Sequence, residues 1–365
     1  VNFDFSDDAK ALGEQARRLF ADKAGTAPAR RAMAADAPDH DAALWAEVVA
    51  LGWTAARVPE AHGGLGLTPE ESAQLAEAAG HYLAHVPLVS TLLATEALII
   101  AGSEAQQAKY LPGIADGSLR AVVAVNEPGA PSPTSLKTRA DGGALTGVKA
   151  PIADLAGAGL AIVAAAGPDG PSLWLVETAA ATVEAVETLD LVRRHGRLTL
   201  DGTPAEPLGD AAAYQAWLDR AAVILAYEAI GTGHAAMDMT VAYAKTRVAF
   251  GQTIGRYQGV KHKLADMYIK LELARAHALH GLAMMDAGGA ELTQSASAAR
   301  VASLDALAFC AEEAVQLHGG IGYTWESDCQ FYYRRNRALV GTIGARGWWA
   351  DRLVRALEQR NRAAA

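Results

Sequence analysis

Two short stretches in the C-terminal part of the chain carry residue types that could do chemistry. The first runs from Arg247 to Gln258 and reads RVAFGQTIGRYQ. A guanidinium beside a glycine-containing turn can reach a phosphate through two parallel hydrogen bonds, and the nearby Phe250 ring can cover a planar cofactor. The same arginine at a helix C-terminus would answer the helix dipole, so the stretch alone leaves both readings open. The second runs from Gln316 to Glu326, reads QLHGGIGYTWE and closes a long apolar segment. Its adjacent glycines, Gly319 and Gly320, let a ligand or another backbone come close, and the Gln316 amide offers the donor and acceptor that match an adenine edge. A glycine helix cap followed by a turn has the same spelling. His318 reads as a hydrogen-bonded structural histidine before it reads as a base. The loop from Pro59 to Gly66, PEAHGGLG, could line a ligand, but its simpler reading is a turn.

The elements that must hold these stretches fall into three regions. From Phe5 to about Ile114 the pattern is helical: Leu44, Trp45, Val48, Val49 and Leu51 form one apolar run, and Pro69 to Leu83 form another, with Thr68 as its N-cap. From about Leu119 the texture changes to short strands bounded by Gly, Pro and Asp, at Ala121 to Val125, Leu160 to Ala165, Ser172 to Val176, Thr182 to Val186 and Arg197 to Leu200. From about Ala212 helices return in longer pieces. Leu264, Met267, Leu271, Ala274, Ala278 and Leu282 make one stripe, and Val301, Leu304, Ala308, Ala311 and Val315 make another, spacings that predict an antiparallel bundle.

Length and composition agree with several domains. At 365 residues the chain exceeds the size at which one core stops growing, and 51% hydrophobic content with only 6% aromatics favours closely packed helices. A net charge of −9 argues against a nucleic-acid footprint. Two cysteines, Cys310 and Cys329, are too few for a disulfide framework or a four-cysteine metal site, so no metal and a reducing, cytoplasmic setting are expected. No apolar stretch is long enough to span a bilayer and the first residues lack a signal-peptide pattern, so no membrane insertion is expected. The chain starts at Val1 rather than Met, a trimmed start that carries no functional information.

In order and spacing these segments resemble the acyl-CoA dehydrogenase family. The resemblance is carried by Trp45 with Gly52, Pro59 with Gly63 and Gly64, Leu111 to Gly113, Asn126 to Gly129, Arg247 with Phe250 and Gly251, His262 with Ala265 to Met267, and Gln316 with Gly319, Gly320, Gly322 and Tyr323. It implies an α+β multidomain fold: an N-terminal helical domain over residues 1–118, a middle β-barrel over 119–208 and a C-terminal four-helix bundle over 209–365. It also implies FAD as cofactor. Arg247 would hold the pyrophosphate and Phe250 would pack beside the cofactor, with Gln258 a further match. Gln316, Gly319 and Gly320 would reach the adenosine end from a neighbouring subunit, which implies a homodimer usually doubled to a homotetramer. In the middle domain Val125, Asn126 and Ser132 would meet the flavin. There the pattern departs from the family: VNEPGAPSP keeps Ser132 but loses a glycine and an aspartate, and Pro151 to Ala153 stand where the family has Trp-Ile-Thr.

The family reaction removes the α proton of an acyl-CoA with a carboxylate and passes the β hydrogen to the flavin as hydride. The two family positions for that carboxylate fall on Ile343 and Ala221, neither of which can accept a proton. Asp219 is the nearest acid and the candidate base, because desolvation by ligand would raise its pKa; a helix-start cap or a pairing beside Arg220 is the alternative. Glu228 resembles a helix-packing glutamate and Glu326 a structural one. The expected function is therefore oxidation of an acyl-CoA thioester to the 2,3-enoyl-CoA, with electron-transferring flavoprotein or a similar acceptor downstream. The alternatives are a non-catalytic or half-site subunit of an α2β2 heterotetramer, and a family member with altered flavin chemistry.

Overall fold

A computed structural model describes residues 5–167 and 169–363. The N-terminal region is helical, as the apolar runs predict: α1 (Asp7–Lys23), α2 (Thr26–Ala32), α3 (Ala42–Ala50), α4 (Pro69–His81), α5 (Leu88–Ala101) and α6 (Glu104–Ala115). Side chains fix several starts. Thr68 caps α4 by accepting from the Glu70 amide at 3.2 Å, and Ser103 and Gln106 form a reciprocal capping box on α6. Helix α5 is mostly apolar and is buried over nearly its whole length between its neighbours and the sheet, its Thr91 and Thr95 hydroxyls bonded to carbonyls of the preceding turn and Glu96 paired with Arg57 and Arg220.

The middle region contains β1 (Ala121–Ala124), β2 (Arg139–Asp141), β3 (Ala144–Ala153), β4 (Leu160–Gly167), β5 (Gly170–Glu177), β6 (Thr182–Val186), β7 (His195–Pro204) and β8 (Glu206–Gly209). They form one mixed sheet in the order β6-β7-β3-β2-β4-β5-β8, with β1 parallel to β4. This corrects the expected β-barrel: the sheet is open, because its end strands β6 and β8 do not pair with each other. Both faces of the sheet are nevertheless used. Along β4 alternate residues point opposite ways. Leu160, Ile162 and Ala164 join the main helical core, while Ala161, Val163 and Ala165 join a smaller core with Leu145, Ile152, Leu198 and Leu200. Strand β6 is exposed along most of its length and serves as a solvent-facing edge, so burial gives it no reason to find a closing partner.

The C-terminal region is helical, as expected. Helices α7 (Ala211–Thr246), α8 (Gln258–Ala283) and α9 (Gly289–His318) pack on one another, and α10 (Cys329–Gly341) and α11 (Arg346–Ala363) pack against α9. A small hairpin, β9 (Val248–Ala249) with β10 (Gln252–Thr253), follows α7. Helix α4 crosses α7 at close range through two glycines. A Cβ on Gly231 would lie 2.0 Å from the Glu77 carbonyl oxygen, and one on Gly80 would lie 2.2 Å from that of Glu228. Among the described residues no helix is long and apolar enough to cross a membrane.

Candidate active site

The chain leaving β1 turns at Val125 and Asn126 and forms one wall of a cavity of about 390 Å³. Ala150 to Ala153 of β3 form the second wall, and Thr188, Leu189 and His195 the third. The end of α10 and the turn after it, Arg337 to Ala345, supply the fourth, with Ser90 and Leu93 of α5 also lining it. The size lies in the range of about 300–1,000 Å³ that suits a small-molecule site.

Specific bonds hold these walls in register. The Asn126 side-chain amide donates to the Gly341 carbonyl at 2.8 Å, fastening the β1 loop to the end of α10. The Tyr214 hydroxyl of α7 donates to the Pro133 carbonyl at 2.6 Å. Glu127 accepts from the Lys137 amide at 2.5 Å, the Thr138 amide at 2.9 Å and the Lys149 ammonium at 2.6 Å, which pins the excursion between β1 and β2. Burial pushes the Lys149 ammonium down to about 8 against the opposing pull of Glu127. Gly344 closes the rim with φ at +102°, and a Cβ there would fall 2.8 Å from the Pro133 ring. Only glycine suits both demands.

Val125, Asn126 and Ser132 are thus brought together in the cavity. Arg247, Phe250, Gln258, Gln316, Gly319 and Gly320 do not line it. Arg247 is the C-cap of α7, Phe250 sits at the tip of the β9–β10 hairpin with φ at +52° and its side chain in solvent, and Gln258 opens α8. Gln316 lies in the last turn of α9, and Gly319 ends that helix with open space around it and around Gly320. These two segments share one end of the bundle, where the Tyr243 ring stacks on His318 at 4.1 Å. His318 donates from Nδ1 to the Ala314 carbonyl at 2.7 Å and is accounted for by that bond and the stack.

Asp219 lies on α7 and lines a different hollow, between the start of α7 and the α8–α9 connection. It is buried, pairs with Arg352 of α11 and accepts from the Thr293 hydroxyl at 2.7 Å. Arg220, expected beside it, pairs instead with Glu96 at 3.2 Å. Ile343 and Ala221 are both buried in the main core. Glu228 is fully buried between Arg193 at 2.6 Å and Arg335 at 3.4 Å, and Arg335 also pairs with Asp190.

Sequence reasoning missed Thr188, His195 and Arg337 at the cavity. The run of Arg193, Arg194 and His195 inside an otherwise apolar β region was the available signal, since cationic neighbours rarely enter a sheet without partners. His195 starts β7, paired with Ala153 on one side and Val186 on the other. Burial pushes its imidazole below the ordinary value of 6.5.

FAD fits the residues present. Pro151, Ile152 and Ala153 give an apolar wall, Asn126 and Ser132 add polar atoms, and the solvent-facing Phe250 and the uncovered Gly319 and Gly320 are each open to the other end of a long ligand.

Two family models match the chain: the acyl-CoA dehydrogenase N-terminal domain over residues 6–118 and the acyl-CoA dehydrogenase C-terminal domain over residues 209–354. Acyl-CoA dehydrogenase IpdE2 of Mycobacterium tuberculosis (strain ATCC 25618 / H37Rv) is 34% identical over 325 residues, covering 89% of each chain. Among solved structures, the Tcur3481-Tcur3483 steroid ACAD G363A variant superposes with a TM-score of 0.89 at 32% identity, over 98% of this chain and 99% of that one. The ChsE4-ChsE5 complex of Mycobacterium tuberculosis shares the fold at TM-score 0.89 and 23% identity, over 98% and 99%. Fold and matches together define the class of FAD-dependent dehydrogenases that act on CH–CH bonds. Within it, the chain belongs to the acyl-CoA dehydrogenase family. It is an oxidoreductase that converts an acyl-CoA thioester to its 2,3-enoyl-CoA.

Proposed function

We propose that the cavity between the sheet and the α10–α11 turn holds the flavin ring of FAD and the acyl thioester together. The carrying observation is that Val125, Asn126 and Ser132 line one hollow with the α10–α11 turn. When bound, FAD supplies the two-electron oxidation. The chain's own residues orient and enclose. Val125, Asn126 and Ser132 face the ring, while Pro151 to Ala153 pack on it and keep water out. Arg247 holds the pyrophosphate, and Phe250 and Gln258 pack beside it. Gln316, Gly319 and Gly320 of a second copy meet the adenosine, which makes a homodimer or homotetramer the working unit. Electron-transferring flavoprotein or a similar acceptor reoxidises the enzyme, in the cytoplasm. The cavity walls are built from small residues, Ala130, Ala150, Ala153, Ala338 and Gly341 among them, which leaves width for a bulky acyl group. The resemblance to a steroid dehydrogenase supports that choice.

Asp219 as the proton acceptor draws no support from this geometry, since Arg352 and Thr293 occupy its oxygens and it faces another hollow. Anaerobic mixing of the FAD-loaded protein with straight, branched and polycyclic acyl-CoAs tests the function. Bleaching of the flavin absorbance is expected with a polycyclic thioester, and no bleaching with any thioester would sink the reading.

A second reading is favoured by the apolar residues at both family base positions, Ile343 and Ala221. In it the chain is the half-site subunit of an α2β2 heterotetramer. Purification of the chain alone as an active, fully FAD-loaded homo-oligomer would remove it.

A further inference from the structure

Three residues that line the 390 Å³ cavity carry an ionisable side chain: Glu127, His195 and Arg337. Arg337 stays cationic at any working pH and is held by Tyr333 at 2.9 Å and Glu312 at 3.2 Å. Glu127 spends its oxygens on Lys149 and on the amides of Lys137 and Thr138. His195 differs from both in the way its two ring nitrogens are used.

Its Nδ1 lies 2.9 Å from the Arg193 carbonyl oxygen and 3.1 Å from the Thr188 hydroxyl oxygen. A carbonyl only accepts, so Nδ1 must carry the hydrogen. Thr188 donates its own hydroxyl to the Asp190 carbonyl at 3.2 Å and is therefore free to accept as well. This fixes the tautomer and leaves the lone pair of the neutral ring on Nε2. Among the described residues Nε2 has no hydrogen-bond partner, and it is not among the sealed, unpaired polar atoms of the interior. The Nε2 lone pair is thus left available to a ligand. His195 and Thr188 also line a second hollow of about 530 Å³, bordered by Glu187 and Arg194.

We infer that His195 is the catalytic base of this chain, taking the α proton of the acyl thioester on Nε2 and releasing it through the second hollow. The inference rests on the dehydrogenase reading of the cavity. The Cα–H bond breaks toward Nε2, and its electron pair becomes the second bond between Cα and Cβ as the β hydrogen leaves as hydride to the bound flavin. The imidazolium so formed passes its proton to water, which restores the neutral ring. Asp190 and Asp154 face the ring and favour the cation, and Arg193 opposes it. Burial outweighs them and keeps the resting ring neutral at pH 7, the state a base requires.

The test uses the FAD-loaded protein in D2O with a 3-thiaacyl-CoA, whose β sulfur has no hydrogen to give, and reads deuterium uptake at the α carbon by mass spectrometry. In H195N the amide nitrogen can still donate to the Arg193 carbonyl while no basic nitrogen remains. The expected result is exchange slowed by about 100-fold or more with FAD content and melting temperature kept. Unchanged exchange in H195N, with exchange and bleaching present in the wild type, overturns the role of His195 and leaves the dehydrogenase standing. Absence of both exchange and bleaching in the wild type overturns both. Should H195N fail to hold FAD, the wild-type pH profile decides: exchange must decline as pH falls through a midpoint below 6.5, and exchange that rises as pH falls, or that is already lost through a midpoint above 6.5, overturns the assignment.

Discussion

Lys149 and Glu127 are both buried, one on β3 and the other in the loop that walls the cavity, and each is the reason the other can stay charged. Removing the ammonium alone strands a carboxylate in a low-dielectric interior. Lys149→Met should therefore cost about 3–5 kcal/mol in urea unfolding, more than the exposed pair Lys109–Glu177 could lose. The pair also explains a gap between sequence and structure. The ten-residue strand β3 has no clean apolar alternation, because Gly147, Lys149 and Pro151 interrupt it. A lysine there reads as solvent-facing until its partner, 22 positions away in sequence, is known. His195 was hidden for the same reason: its meaning depends on the Arg193 carbonyl, on Thr188 and on a cavity assembled from five separate segments. The family resemblance was legible because each of its motifs is a short run whose spacing is itself the signal, as in Gln316 with Gly319 and Gly320.

At the scale of elements, the loop before β7 is bolted to the helices by ion pairs. Arg335 of α10 meets Asp190 and Glu228, and Arg193 meets Glu228. Arg335→Met should cost about 3–5 kcal/mol by leaving two carboxylates short of a partner. Burial alone would raise the Asp190 carboxyl, but Arg335 and Arg193 hold it below its ordinary 3.8. A depressed folded-state pKa means that its stabilisation is fully present above 3.8 and is lost as pH falls through the lower, folded-state value. Acid titration of the thermal midpoint in wild type and Asp190→Asn should show the steeper acid loss in wild type. The glycine crossing of α4 over α7 makes a second prediction. Gly231→Ala would place a methyl against the Glu77 carbonyl and should cost about 3 kcal/mol, with the helices forced apart. Helix stripes and caps such as Thr68 were readable locally. The open sheet was not, because closure depends on whether β6 and β8 meet, and no local pattern in either strand records that.

For the whole molecule, the proposed sharing of FAD between copies makes cofactor retention a property of the assembly. Arg247→Gln should lower the flavin absorbance per protein at fixed FAD, and dilution of the wild type should release FAD in step with dissociation seen by sedimentation. The main hydrophobic core described above runs unbroken from Ala16 of α1 through Leu160 and Ile162 of β4 to Trp349 of α11. Chains of this length usually melt domain by domain. Among the described residues no region here owns a private interior except the twelve buried residues on the far face of the sheet. Calorimetry should accordingly record one endotherm rather than three, and a damaging substitution in the first helix should be felt as lost flavin at the opposite end of the chain.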